Sequence, residues 1–225
     1  MCGRFTLTKS GWAIAQAFNL EEVPQIEPQY NIAPTQQIAA ILYNSESQNR
    51  QFQELRWGLI PSWAKDKSIG YKLINARAET VAEKPSFRSA FKQRRCLIVA
   101  DGFYEWQKQE NHKHQKQPYY FRVADGQPFA FAGLWEKWQS PDGEEITSGT
   151  ILTTEANELM QSIHERMPVI LNTQDYDLWL DPQVKTFQEL QPVLHPYPAE
   201  SMTSYPVSTL VNSPKKNSPE CVNSQ

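Results

Sequence analysis

Histidine and cysteine are scarce in this chain of 225 residues, and their scarcity narrows the chemistry before any motif is read. The three cysteines, Cys2, Cys96 and Cys221, are odd in number and far apart. They form no C-x-x-C pair, which argues against a zinc site or a disulfide framework and for a reducing, cytoplasmic setting. The first thirty residues lack a basic stretch followed by a long apolar run, so no secretory signal is expected, nor a lipid anchor on Cys2. No apolar run is long enough to span a membrane. A glycine-rich phosphate loop, H-E-x-x-H and G-x-S-x-G are all missing, and nothing implies a metal, nucleotide or flavin. The net charge of −3 gives no global positive field, so any nucleic-acid contact must rest on a local patch.

What is present points to strands and turns: seven Trp and sixteen Pro in a chain long enough to bury a sizeable core. Apolar runs predict strands over 4–8, 37–43, 52–57, 96–100, 119–123, 129–135 and 146–153. Helices are expected over 12–18 (cap Ser10), 87–93 (cap Ser86), 155–163 (cap Thr154) and 174–180. Residues 21–34, with three prolines, read as an irregular connector, and 107–117 as a charged hairpin tip. Irregularly interspersed helices without βαβ alternation give an α+β fold with mainly antiparallel strands. One domain over 1–212 is expected, followed by a polar, flexible tail over 213–225.

Among residues able to do chemistry, Cys2 stands out by position. Once Met1 is removed, it carries a free α-amine and a thiol on adjacent carbons. Such a 1,2-aminothiol condenses with an aldehyde: the amine makes an imine, and the thiol closes it intramolecularly to a thiazolidine. The plain alternative is a small hydrophobe in a core. His164 fits either a helix C-terminus, favoured by the macrodipole, or general acid–base work near neutrality. Glu105, between Tyr104 and Trp106, is an odd place for a charge unless something pairs with it. Asn75 fits a turn, or a residue holding a thiol or sugar oxygen. Arg4 and Arg77 suit phosphates or plain solvation; Trp57, Trp63, Phe103, Tyr104 and Trp106 suit base stacking or a core. His112 and His114 lie in the charged tip, and His195 gives no signal.

Seven stretches, taken in order, closely resemble one family: Met1–Phe5, Tyr30–Pro34, Trp57–Pro61, Asn75–Thr80, Asp101–Trp106, Phe131–Trp135 and His164–Pro168. It is the SOS response associated peptidase (SRAP) family, and the likeness runs from Cys2 to about Asn212. The resemblance implies antiparallel sheets closing into a barrel-like core with peripheral helices. It also implies a protein that binds single-stranded DNA and traps an abasic site as a thiazolidine on the N-terminal cysteine. Carried over, Cys2 is the nucleophile, Asn75, Glu105 and His164 surround it, and Arg4 and Arg77 hold flanking phosphates. Trp57, Trp63 and Trp106 complete the expected DNA surface. Removal of Met1 by the protein itself is part of the same expectation; a monomer is the default, since accepting a DNA strand needs no second subunit. Val99 stands where many members have Pro. Two rivals remain: a peptidase acting in trans through Cys2, His164 and Asn75, and a non-covalent single-strand binder.

Overall fold

The computed structural model describes residues 2–108 and 116–225. Among them the strands are β1 (Phe5–Leu7), β2 (Gln29–Ile32), β3 (Gln37–Asn44), β4 (Asn49–Trp57), β5 (Asn75–Arg77), β6 (Arg95–Ala100), β7 (Gly102–Lys108), β8 (Lys116–Val123), β9 (Phe129–Gln139), β10 (Glu145–Glu155), β11 (Arg166–Pro168), β12 (Ile170–Leu171) and β13 (Met202–Pro206). The helices are α1 (Gly11–Phe18), α2 (Arg88–Gln93), α3 (Glu158–Gln161), α4 (Tyr176–Leu180) and α5 (Phe187–Leu190).

Five strands close into a barrel. β4 pairs with β3, β3 with β6, β6 with β9 and β9 with β10, all antiparallel. β10 then returns parallel to β4 through Ser148–Arg56 and Gly149–Trp57, which leaves this ring no bare edge. Every residue of β6 is buried, because one face looks into the barrel and α4 packs on the strand. That cover on both sides explains its unbroken apolar run, Cys96 to Ala100. The Trp179 indole of α4 fixes the contact by donating to Cys96 O at 2.9 Å.

A second sheet, in the order β13–β8–β7–β1–β2, lies against the barrel. Its attachment is Phe5 of β1, fully buried, with ring centroids 5.0 Å from Trp57 and 5.8 Å from Phe131, both edge-on. Burial of such a ring is worth about 1.5–3 kcal/mol, and each aromatic pair roughly another 0.5–1.5. The register of β1 on β7 is pinned by Asp101, just before β7. Its carboxylate accepts from Thr6 Oγ1 at 2.5 Å and from Thr8 N at 2.6 Å. At Gly102 a Cβ would come within 2.0 Å of the Tyr120 hydroxyl, so that position takes no side chain. A slip of one residue would turn Cys2 and Glu105 to the wrong face, so this clamp matters for the site.

Several expectations are corrected. The proline-rich connector contains β2, which pairs with β1. Asn75 is not a turn residue but lies with Arg77 on β5, held parallel to β10 at Ile151 and Thr153. Residues to Glu155 stay in β10 because β11 pairs with them, so α3 begins only at Glu158 and its cap is Asn157, not Thr154. α2 starts at Arg88, one residue later than expected, with Phe87 rather than Ser86 at its N-cap and no side-chain cap. Ser10 caps α1 as expected, accepting from Ala13 N at 3.3 Å. His112 and His114 lie outside the described residues; the strands flanking them pair as far as Lys108 and Lys116. The last residues, whose composition suggested a loose tail, lie on the second sheet. Cys221 is buried, Ser224 bridges to Val207, and Gln225 N donates to Pro206 O at 3.1 Å. The reason is a small apolar cluster of Tyr104, Tyr120, Val207 and Val211 that Val222 covers.

Candidate active site

Cys2 leads directly into β1, and Tyr104 N donates to Arg4 O at 3.0 Å, so β7 runs alongside the start of the chain. Cys2 is wholly buried. Its carbonyl accepts from Asn75 Nδ2 at 2.8 Å, and its Sγ donates to Arg4 O at 3.8 Å. Burial pushes the thiol well above its ordinary value, and the negative charge of Glu105 pushes it the same way. Glu105, itself 4% exposed, lies on β7 near enough for its charge to act on the cysteine. A buried carboxylate beside a buried thiol keeps the sulfur protonated until a base takes the proton.

His164 follows α3, with its N–H donating to Met160 O at 2.9 Å. Its ring Nδ1 lies 2.9 Å from Arg166 N and 3.2 Å from Arg166 O, so the backbone of the following turn fixes the ring. Glu105 and His164 line one cleft of 660 Å³, together with Trp106, Lys108, Lys116 and Gln161. A second cleft of 440 Å³, lined by Gly3, Arg4, Trp106, Lys116 and Asn212, adjoins it across Trp106 and Lys116. Asn75, Glu105 and Cys2 are thus brought together, and Glu105 and His164 share a cleft.

The expected DNA-contact residues divide. Arg4 and Trp106 line the second cleft, with the Arg4 guanidinium 5.8 Å from the Trp106 ring centroid. Arg77 is exposed on β5, and Trp63 stands 59% exposed on the loop after Gly58; neither lines these clefts. Trp57 is a correction. It is fully buried, its indole donates to Ile74 O at 2.9 Å, and its ring packs on Phe5, so no base can stack on it. The W-G-L-I-P stretch gave no sign of this, since buried and exposed tryptophans look alike in sequence.

Residues passed over in the sequence also belong to the site. Arg166, two positions after His164, donates to both carboxylate oxygens of Glu79 at 2.6 and 2.9 Å and to Thr153 O at 2.6 Å. These bonds hold the Glu79 carboxyl below its usual range and fix the turn that carries His164. Lys108 and Lys116 add positive charge to a cleft in a chain of net negative charge. Their signal was the basic run around residue 113, read only as a solvated tip. Among the described residues no group of three or more His, Cys, Asp or Glu could hold a metal ion, and no helix is long and apolar enough to cross a membrane.

With this geometry in place, the likeness to known proteins is informative. The family described as SOS response associated peptidase (SRAP) matches residues 1–214. Abasic site processing protein YoqW of Bacillus subtilis is 49% identical over 227 residues, covering all of both chains. Abasic site processing protein HMCES of Xenopus tropicalis is 35% identical over 87% of this chain and 66% of its own. A crystal structure of a protein from Bacteroides thetaiotaomicron superposes with a TM-score of 0.88 at 28% identity, over the whole of both chains. The barrel, the second sheet and the ordered motifs from Cys2 to Pro168 are those of one family: this chain belongs to the SRAP family.

Proposed function

We propose that this protein captures abasic sites in single-stranded DNA as a thiazolidine on Cys2. The observation that carries the reading is the setting of Cys2, gripped through its carbonyl by Asn75 and within reach of the charge of Glu105, which shares a cleft with His164. Relatives at 49% and 46% identity bear the name abasic site processing protein. While Met1 precedes Cys2, the cysteine nitrogen is an amide and cannot attack a carbonyl, so loss of Met1 arms the site. Whether the chain cuts its own Met1 bond is part of the same proposal.

The chemistry then balances as follows. The ring-opened sugar presents an aldehyde at C1′. The Cys2 amine adds to that carbon to give a carbinolamine, and water leaves as the C=N bond forms. Departure of hydroxide needs a proton; in this scheme His164 gives it as the imidazolium and ends as the neutral ring. The thiol is held protonated by burial, so ring closure requires a base, a role this scheme gives to the Glu105 carboxylate. Sulfur adds to the imine carbon, Glu105 takes the thiol proton, and the former imine nitrogen ends as the ring amine. Both nucleophiles sit on one residue, so the second step gains the effective molarity of an intramolecular reaction. Trp106 offers a stacking face and Lys108, Lys116 and Arg4 positive charge, which suits an unpaired strand, since a stacked base is unavailable in a duplex. A monomer suffices for this.

The rival peptidase needs a thiolate activated by His164. Burial and the charge of Glu105 raise the Cys2 thiol, which opposes a standing thiolate. The deciding experiment mixes protein that begins at Cys2 with a single-stranded oligonucleotide carrying one abasic site, beside an intact control, on a denaturing gel. A shifted band that needs both the lesion and Cys2 is expected, and Cys2→Ser, which keeps the amine, should lose the stable band. No band from wild-type protein, with turnover of peptides in trans, would overturn the proposal in favour of the peptidase.

A further inference from the structure

Arg4 lies two residues from Cys2, and its guanidinium is aimed rather than loose. Nη1 donates to Asn31 Oδ1 at 2.7 Å and to Val211 O at 2.6 Å, which uses both of its hydrogens. Nη2 donates to Asn212 O at 3.3 Å. A guanidinium has five N–H donors, so Nε and the second Nη2 hydrogen are left, side by side on one edge. That edge is the fork that takes a phosphate with two parallel hydrogen bonds. Among the described residues no carboxylate forms an ion pair with Arg4, although the cleft it lines opens beside it.

The direction of the fork is set by two asparagines. Asn31 of β2 is 2% exposed, and its Nδ2 donates to Val211 O, Ser213 O and Lys216 O at 3.2, 3.0 and 2.7 Å. Its amide thus binds the C-terminal segment with one end and Arg4 with the other. Asn212 of that segment accepts from Trp106 Nε1 at 2.7 Å through its side chain, while its carbonyl takes Arg4 Nη2. One short stretch of chain therefore fixes both the guanidinium and the indole it lies over.

We propose that Asn31 and Asn212 are positioning residues of a subsite for one phosphodiester beside Cys2. Asn31 aims the free fork of Arg4, and Asn212 holds the Trp106 ring against the guanidinium. The inference rests on the reading that a DNA strand lies in this cleft, and it adds which residues organise the contact and how.

The test uses the whole chain and an intact single-stranded oligonucleotide, with binding followed by anisotropy across salt concentrations. Asn31→Ala is expected to raise the half-saturating DNA concentration about tenfold, the loss of a charge-assisted hydrogen bond. It should also flatten the log–log salt dependence by about 0.7, one phosphate's share for a single strand. In an Arg4→Ala background the same substitution should change neither quantity, because Asn31 acts through Arg4. Asn212→Ala, at an exposed position, should raise the concentration about threefold, as for a neutral hydrogen bond, and should do nothing in a Trp106→Ala background. If Asn31→Ala does not fold, the Asn212 cycle decides alone. Additive losses, or no binding of the intact strand, overturn the inference. Coupled losses with no lesion-dependent band on the denaturing gel would keep it while removing the capture reaction.

Discussion

Asn75 reaches across two sheets to the backbone of Cys2, its Nδ2 donating to the cysteine carbonyl at 2.8 Å. β5, which bears the asparagine, belongs with the barrel strands through β10, whereas Cys2 leads into the second sheet. The bond is therefore a strut at the point where the two sheets meet, and its other end is open. Among the described residues the buried Asn75 Oδ1 accepts no hydrogen bond, so an acceptor is ready beside the cysteine.

Loss of that strut should be felt in rate more than in stability. Asn75→Ala is expected to slow crosslinking at saturating DNA about tenfold, the worth of one well-placed hydrogen bond. Asn75→Asp keeps acceptors but removes the donor and should be as slow. A full-rate Asp variant, in single-turnover gels, would show that donation to Cys2 O does not matter.

Glu105 poses a choice of sign. Its charge raises the Cys2 thiol, which by itself hinders sulfur attack, yet the proposed ring closure uses it as the base. Glu105→Gln should bring the thiol partway back towards its ordinary value, burial still holding it up. Crosslinking should nevertheless fall by about 10²–10⁴, the usual contribution of a positioned general base. Faster crosslinking in the Gln variant would mean that Glu105 acts only by repulsion.

The two tryptophans separated by the structure should behave oppositely. Trp57→Ala empties a fully buried site and should cost about 3–5 kcal/mol of stability, read by urea unfolding. Trp106→Ala should cost little stability but weaken binding of an intact single strand by about 1–3 kcal/mol. Equal effects on binding would contradict the assignment of Trp57 to the core.

Alkaline pH should destabilise the fold through thiols and phenols that are buried in their neutral form. Burial raises Cys2 and Cys96 above an ordinary 9.0, and Tyr104 and Tyr120 above an ordinary 10.0. These groups stay protonated in the native state while the unfolded chain ionises. Their contribution is complete below about pH 9 and is lost as pH rises beyond it, at about 1.4 kcal/mol per pH unit per group. Thermal unfolding from pH 7 to 11 should show a plateau and then a fall, shallower in Cys96→Ala. A flat profile to pH 11 would refute it.

Much of this was legible in the chain itself, where local patterns carry the information. Long apolar strands such as Ile38–Leu42 and Leu97–Ala100 announce themselves, and so does a carboxylate wedged between Tyr104 and Trp106. Pairings between distant segments do not. β5 has three residues, two of them polar, and exists only because β10 runs beside it. β2 hides between prolines, because β1 pairs with it. Thr154 has the composition of a cap, but β11 keeps it in a strand. In the tail the Ser, Pro and Asn residues are real, yet Cys221 and Val222 find apolar neighbours that no local window reveals.

Arg4 and Val211 touch across 207 residues, and that contact has a temporal side. A ribosome makes Cys2 long before the segment that latches its strand, which follows 207 residues after Arg4. Contacts so far apart in the chain form late and pay the full cost of closing the loop. Cys2 is therefore born without its surroundings, and a nascent chain that stops short of Val211 has the cysteine but not the setting around it.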